Sequence, residues 1–344
     1  MRLKNTFAVA FGLVSGLIFA DTGVEHYAVG KLFSVKGDLG WDYLTADPDT
    51  QRLYISHGDH VDVLDASSGK SVGVIGDTPG VHGIAIARDL KRGFISSGKS
   101  NSVKVFELVS GKVVANIATG ENPDAIVYEP TSRHVFAFNG RGQSISVIDT
   151  EKNSVIETIP VGGKPEFARV DDHAHIFFNV EDTSELAVID ATTSKIAARW
   201  PLKPCKEPSG LALDVIHRRL FSVCDNRLMT VVDADSGRLV TTLPIGDGAD
   251  GVEFDPKQQD AFSANGDGTL TIVHEATPDA YSVVQTLATQ RGARTIALDA
   301  STGELYLPTA EMGPKPPATA AFPAPRPAIV PDTFRVLVVS KTRP

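Results

Sequence analysis

VDVLDASSGKSVGVI (61–75), VKVFELVSGKVVANI (103–117), ISVIDTEKNSVIETI (145–159), LAVIDATTSKIAARW (186–200), MTVVDADSGRLVTTL (229–243) and LTIVHEATPDAYSVV (270–284) are six copies of one pattern. Each is an alternating apolar run, an anchor, a turn and a second run. The anchors Asp65, Glu107, Asp149, Asp190, Asp233 and His274 recur at spacings of 42, 42, 41, 43 and 41. Period-2 alternation rich in Val and Ile is strand chemistry. Gly69, Gly111, Asn153 and Gly237 stand four residues after their anchors, where a tight hairpin with a bulge needs a left-handed backbone. The segment therefore predicts a β-hairpin, the outer strands c and d of a larger unit. FRVLVVSK (334–341) is a seventh copy of the first half.

Between the hairpins lie stretches such as PDAIVYEPTSRHVFAFNG (123–140) and PSGLALDVIHRRLFSVCDN (208–226), which predict an inner pair of strands, a and b. Four strands per ~42 residues is the periodicity of a propeller blade. KLFSVKG (31–37) predicts a strand d with nothing before it, and the last three strands lack a d. Joined, they complete a seventh blade and remove the exposed edges. The expected fold is an all-β, seven-bladed propeller of four-stranded antiparallel blades, the last closed by the N-terminal strand.

The b strands LYISH, GFISS, HVFAFN, RLFSVC and ELYLPT, with the preceding GENPDAIV and GGKPEFAR, resemble the YVTN-type propeller repeat of YncE-like exported proteins. The resemblance covers about residues 30–344 and implies a fold more than a function. The WD40 repeat is a poorer match, because the one Trp41-Asp42 pair falls at the start of a strand a.

Residues 1–20 predict a signal peptide. Arg2 and Lys4 precede an uncharged apolar run from Phe7 to Phe19, and Ala20 offers a cleavage point. Residues 21–344 would then be a single propeller with a Pro-rich insertion at 312–333. The expected location is periplasmic or secreted, with no membrane span after cleavage, and the expected state a monomer. Losing Arg2 and Lys4 takes the net charge from −9 to −11, which disfavours nucleic acid as a partner. Two cysteines in an exported chain point to a Cys205–Cys224 disulfide.

The repeat also aligns one polar column at the start of each strand a: Asp42, His82, Asp124, Glu166, Ser209, Asp250 and Arg294. Equal positions on seven blades are related by rotation, so these residues should ring one channel mouth and bind a small molecule, a metal ion or a protein. His57 and His60, with Asp59 between them, fall near the b–c turn of the same blade as Asp42. A site built from His57, His60, His82 and Asp42 would suit Zn²⁺. The carboxylates Asp42, Asp124, Glu166 and Asp250 alone would suit Ca²⁺. His134, His175 and His217 are expected at the other end, in structural roles. The alternative function is a lactonase-like hydrolase or lyase using the same ring, although no nucleophile–base pair is visible. The string from Gly93 to Ser100 matches the phosphate-loop pattern G-x-x-x-x-G-K-S, but it occupies a strand b with a strand c after it, not a helix.

Overall fold

The structure, a computed structural model, describes residues 26–319 and 327–342. Its 28 strands form seven antiparallel sheets of four. The a strands run Trp41–Asp47, Val81–Ala87, Pro123–Glu129, Pro165–Val170, Pro208–Asp214, Ala249–Asp255 and Ala297–Asp299. Each packs on the next, and the last packs back on the first, so they line a closed ring. The chain is a seven-bladed β-propeller. The predicted signal peptide lies outside the described residues. Among the described residues no helix is long and apolar enough to cross a membrane.

The seventh sheet is assembled from both ends of the chain. Tyr27–Ser34 pairs antiparallel with Arg335–Lys341, from Tyr27 opposite Lys341 to Ser34 opposite Arg335. The Val35 amide adds a further bond to the Phe334 carbonyl at 3.0 Å. This strand starts four residues earlier than the sequence predicts. Strand a of this blade, by contrast, contracts to Ala297–Asp299.

The core lies between blades. One cluster joins Phe136, Phe138 and Ile145 of blade three to Ile176, Phe178 and Ile189 of blade four. Another joins Phe334 and Val336 of blade seven to Leu53 and Ile55 of blade one. Strands b and c are therefore buried on both faces, which is why their sequences are almost continuously apolar.

Two irregularities repeat around the ring. Each c–d pair shifts register just before its anchor, as at Val63/Leu64, Val147/Ile148 and Val231/Val232. The anchor carboxylate then caps the turn: Asp65 Oδ1 accepts bonds from Ser67 Oγ, Ser68 N and Ser68 Oγ. Those hydrogen bonds hold Asp65 down to about pKa 2. Gly237, at φ 71°, lies under the Trp200 ring, where a Cβ would come within 2.2 Å of ring carbons. The second irregularity, at the start of strand a, positions the candidate site.

Cys205, in the loop entering blade five, is bonded to Cys224 at the end of strand b (Arg219–Cys224), with Cα atoms 5.5 Å apart. Of the Pro-rich insertion, residues 320–326 lie outside the described residues; its flanks meet in a bridge between Met312 and Ile329.

Two stability changes are expected. Replacing both cysteines with Ser should lower the unfolding free energy by about 3 kcal/mol for a loop of this length, measured by urea denaturation. Gly237→Ala should cost roughly 2 kcal/mol or more from the positive φ and the Trp200 overlap. An unchanged midpoint in either variant contradicts the local geometry.

Candidate functional site at the channel mouth

Strand a does not pair with strand b over its first residues. The ladder goes from Trp41 opposite His57 directly to Leu44 opposite Ile55. The same gap occurs at Val81/Ile84, Pro123/Ile126, Pro165/Ala168 and Pro208/Leu211, and a smaller one at Ala249/Gly251. The polar column of the sequence falls inside these gaps in six blades. A bulge frees a residue from the ladder and re-aims its side chain. The freed backbone groups are satisfied elsewhere: the Asp42 amide donates to Ser56 Oγ, and Ser96 and Thr295 hydroxyls donate to the carbonyls of Asp124 and Asp42. In the seventh blade Arg294 precedes the shortened strand, and its carbonyl accepts the Gly251 amide at 2.8 Å.

Asp42, His82, Asp124, Glu166, Asp250 and Arg294 line one cavity of about 620 Å³. Ser209, predicted as part of the ring, does not line it. Its hydroxyl donates to the Ala249 carbonyl and so links blades five and six. Residues outside the predicted set also contribute, among them Tyr43, Lys164 and Lys99. Tyr43 borders this cavity and a smaller one of about 260 Å³ below, and packs edge-on against Phe167 at 5.0 Å. Lys164 pairs with Glu166 at 2.6 Å and also with Glu181. Lys99 completes the wall. Lys164 had a sequence signal: it stands two residues before the column, where four blades carry Gly and one Asn.

The predicted four-residue metal set is divided. His57 closes strand b, His60 opens strand c, and only Gly58 and Asp59 form the turn between them. His57 is wholly buried, bonds Asp62 Oδ2 through Nδ1 at 2.8 Å and packs on Phe334 at 4.4 Å. His57, His60 and Asp62 form one group of possible ligands; Asp42, His82 and Asp124 form another. The reason is pairing register: His57 and His60 sit opposite each other in the b–c ladder, and His57 is buried against Phe334 of blade seven.

The phosphate-loop string is strand Arg92–Ser97 followed by one 3-10 turn, Gly98–Ser100. Gly98 is needed for another reason. A Cβ there would lie 2.8 Å from His82 Nε2, so the glycine admits the imidazole.

Electrostatics distinguish the mouth. His82 Nδ1 lies 2.5 Å from Asp42 Oδ2 and 3.7 Å from Asp124 Oδ1. Burial alone would lower the His82 pKa, but the Asp42 hydrogen bond and the charges of Asp124 and Asp42 raise it to about 9. Burial, with repulsion from Asp42 and Asp250, raises Asp124 to about 7 against the pull of His82. Burial and Asp124 raise Glu166 to about 9. Asp250 is raised by burial and opposed by Arg294, paired at 2.8 Å. Carboxylates and cationic groups crowd this space together, and Asp124 Oδ1 is buried without a hydrogen bond.

No protein-family model matches this chain, and no curated protein matches it. Solved structures do. A chain of Kuenenia stuttgartiensis hydrazine synthase superposes with a TM-score of 0.67 at 18% identity, covering 79% of this chain and 94% of that one. The WD40 repeats of RRP9 superpose with a TM-score of 0.72 at 11% identity, covering 90% and 97%. At these identities the likeness is one of fold, a seven-bladed propeller.

The titrations have one sign. His82, Asp124 and Glu166 all bind protons more tightly folded than unfolded, so each contribution is complete below the ordinary pKa and lost through the raised one. In metal-free protein, stability from these groups should fall as pH rises from about 4 to about 9. His82 should titrate near 9 by NMR, and Asp42→Asn should bring that value down; a His82 midpoint near 6.5 in the wild type contradicts the site as described.

Proposed function

We propose that this propeller is a binding protein whose mouth holds a divalent transition-metal ion on Asp42, His82 and Asp124, with space above it for a small polar ligand. The observation that carries the reading is the buried, unbonded Asp124 Oδ1 facing His82 and Asp42. Two carboxylates and an imidazole whose ligand atoms lie within 4.8 Å of one another suit Zn²⁺ or a similar ion better than Ca²⁺, which prefers oxygen alone. A cation there relieves the carboxylate repulsion that otherwise holds protons on Asp124. The ion would displace the His82 proton, so its affinity should increase with pH up to about 9. The cavity of about 620 Å³ leaves room for more than an ion. Arg294 and Lys164, on its rim, would orient an anionic or hydroxylated ligand.

Binding is preferred to hydrolysis because the one hydroxyl of the column, Ser209, is committed to Ala249 and does not line the cavity. The chain is further proposed to act outside the cytoplasm, like the YVTN-type exported propellers it resembles. The buried Cys205–Cys224 bond supports an oxidising compartment.

Calorimetric titration of metal-free protein with Zn²⁺ tests the reading. Asp124→Asn and His82→Ala should each weaken binding roughly tenfold or more, while His134→Ala leaves it unchanged. Equal affinity in wild type and both mouth variants rejects the site.

A further inference from the structure

A second cluster lies at the other end of strand a. Asp214 is the last residue of Pro208–Asp214, and His217 follows in the turn to strand b. Glu275 comes from the neighbouring blade, near the end of strand c (Thr269–Thr277). His217 Nδ1 lies 2.9 Å from Asp214 Oδ2 and 2.7 Å from Glu275 Oε1. Asp214 and Glu275 are 2% and 0% exposed.

Comparison around the ring makes this cluster anomalous. The residue after the hairpin anchor is Ala66, Leu108, Thr150, Ala191 and Ala234 in five blades, all buried. In the sixth it is Glu275, a carboxylate where the packing otherwise takes a small or apolar group. Asp214 has a generic duty, since its Oδ1 accepts the Ile216 amide at 2.9 Å, as Asp255 and Asp299 do for their own turns. At two of these turns an arginine of the next blade pairs with the aspartate: Arg88 with Asp47 at 2.9 Å, Arg218 with Asp171 at 2.8 Å. Beside Asp214 the next blade supplies a second carboxylate instead.

The nearby cation does not compensate. Arg219 uses its guanidinium on Asp233, Asp279 and the Pro278, His217 and Arg218 carbonyls. Neither oxygen of Glu275 has a hydrogen bond of normal geometry, nor has Asp214 Oδ2 or His217 Nδ1. One Nδ1–H can donate to only one carboxylate, so with both carboxylates ionised a protonated His217 would still leave a net negative charge in a buried space, and burial and Asp214 accordingly raise the Glu275 pKa. Such a charge is costly without a counter-ion.

We propose that Asp214, His217 and Glu275 form a second metal site, for Zn²⁺ or a similar divalent transition ion, at the junction of blades five and six opposite the mouth. Their ligand atoms lie within 4.8 Å of one another, inside the span of one ion with bonds of about 2 Å. A divalent ion with a neutral imidazole balances the two carboxylates and bonds three of the four orphaned atoms. The His217 side chain is 30% exposed, which leaves a way in from solvent and a position for water. Because its ligands come from two blades, the ion would clasp them at the end away from the ligand cavity.

The test measures zinc per chain by atomic emission after gel filtration in metal-free buffer. Asp124→Asn removes the mouth site and should leave one zinc. Adding Glu275→Gln, which keeps the side-chain volume, should take the content below about a tenth per chain. His217→Ala, at a partly exposed turn, should do the same and decides the matter if the glutamine variant misfolds. Retained zinc in the doubly substituted proteins, or none in Asp124→Asn, overturns the proposal. If the mouth reading alone fails, wild type and Asp124→Asn carry the same single zinc, and Glu275→Gln still removes it.

Discussion

The antiparallel pairing of Tyr27–Ser34 with Arg335–Lys341 is the constraint on which the rest depends. An open stack of seven blades would end in an unpaired strand and an uncovered apolar face. Pairing the first strand with the last turns the stack into a ring, and only a ring gives the a strands a common axis. Asp42 and Arg294, 252 positions apart in the chain, then line the same cavity. Contacts of this sequence separation form late and slowly, so the mouth is completed only when the propeller closes.

The fold was largely legible because its signals are local. Alternating Val and Ile, an acid that caps its own turn, and Gly or Asn four residues later are each decided within a hairpin. Gly69, Gly111, Asn153 and Gly237 all take the positive φ that their spacing implies. The polar column was legible for a related reason: a bulge recurs at the same place in each blade. What could not be read was the direction of individual side chains. His57 and Asp42 belong to one blade and are near in sequence, yet a strand's period of two and the b–c register send His57 into the wall. Ser209 occupies its column position, but a hydrogen bond to the next blade turns it from the cavity. Tyr43 carries no repeat signal, because its role depends on what faces it across the axis, where it meets Phe167.

Rigidity makes the electrostatics of the mouth possible. In a flexible loop, Asp42, Asp124, Glu166 and Asp250 would move apart and ionise independently. Here each is set in a bulge, and at Asp42 and Asp124 the freed backbone groups are held by hydroxyls of strand b or of a neighbouring blade. The groups cannot separate, so proton uptake, pairing with Arg294 and Lys164, or a bound cation must absorb the repulsion. The fold thus supplies a preorganised cluster of acids whose crowding is set by the closure of the ring, not by the sequence near any one acid.

The two ends of the propeller apply this principle differently. At the mouth the acids come from many blades, converge on an open cavity and are partly neutralised by protons. At the far end Asp214 and Glu275 come from adjacent blades, converge on one imidazole and leave four buried polar atoms without hydrogen bonds. The alanine found at Glu275's position in three other blades shows that the hairpin itself requires no carboxylate there. An ionised glutamate at this position buries a charge, and burial without a partner is strongly destabilising. Balancing that charge takes either a proton on Glu275, whose pKa burial and Asp214 raise, or a cation delivered from outside the chain, because Arg219 is already committed to five other acceptors.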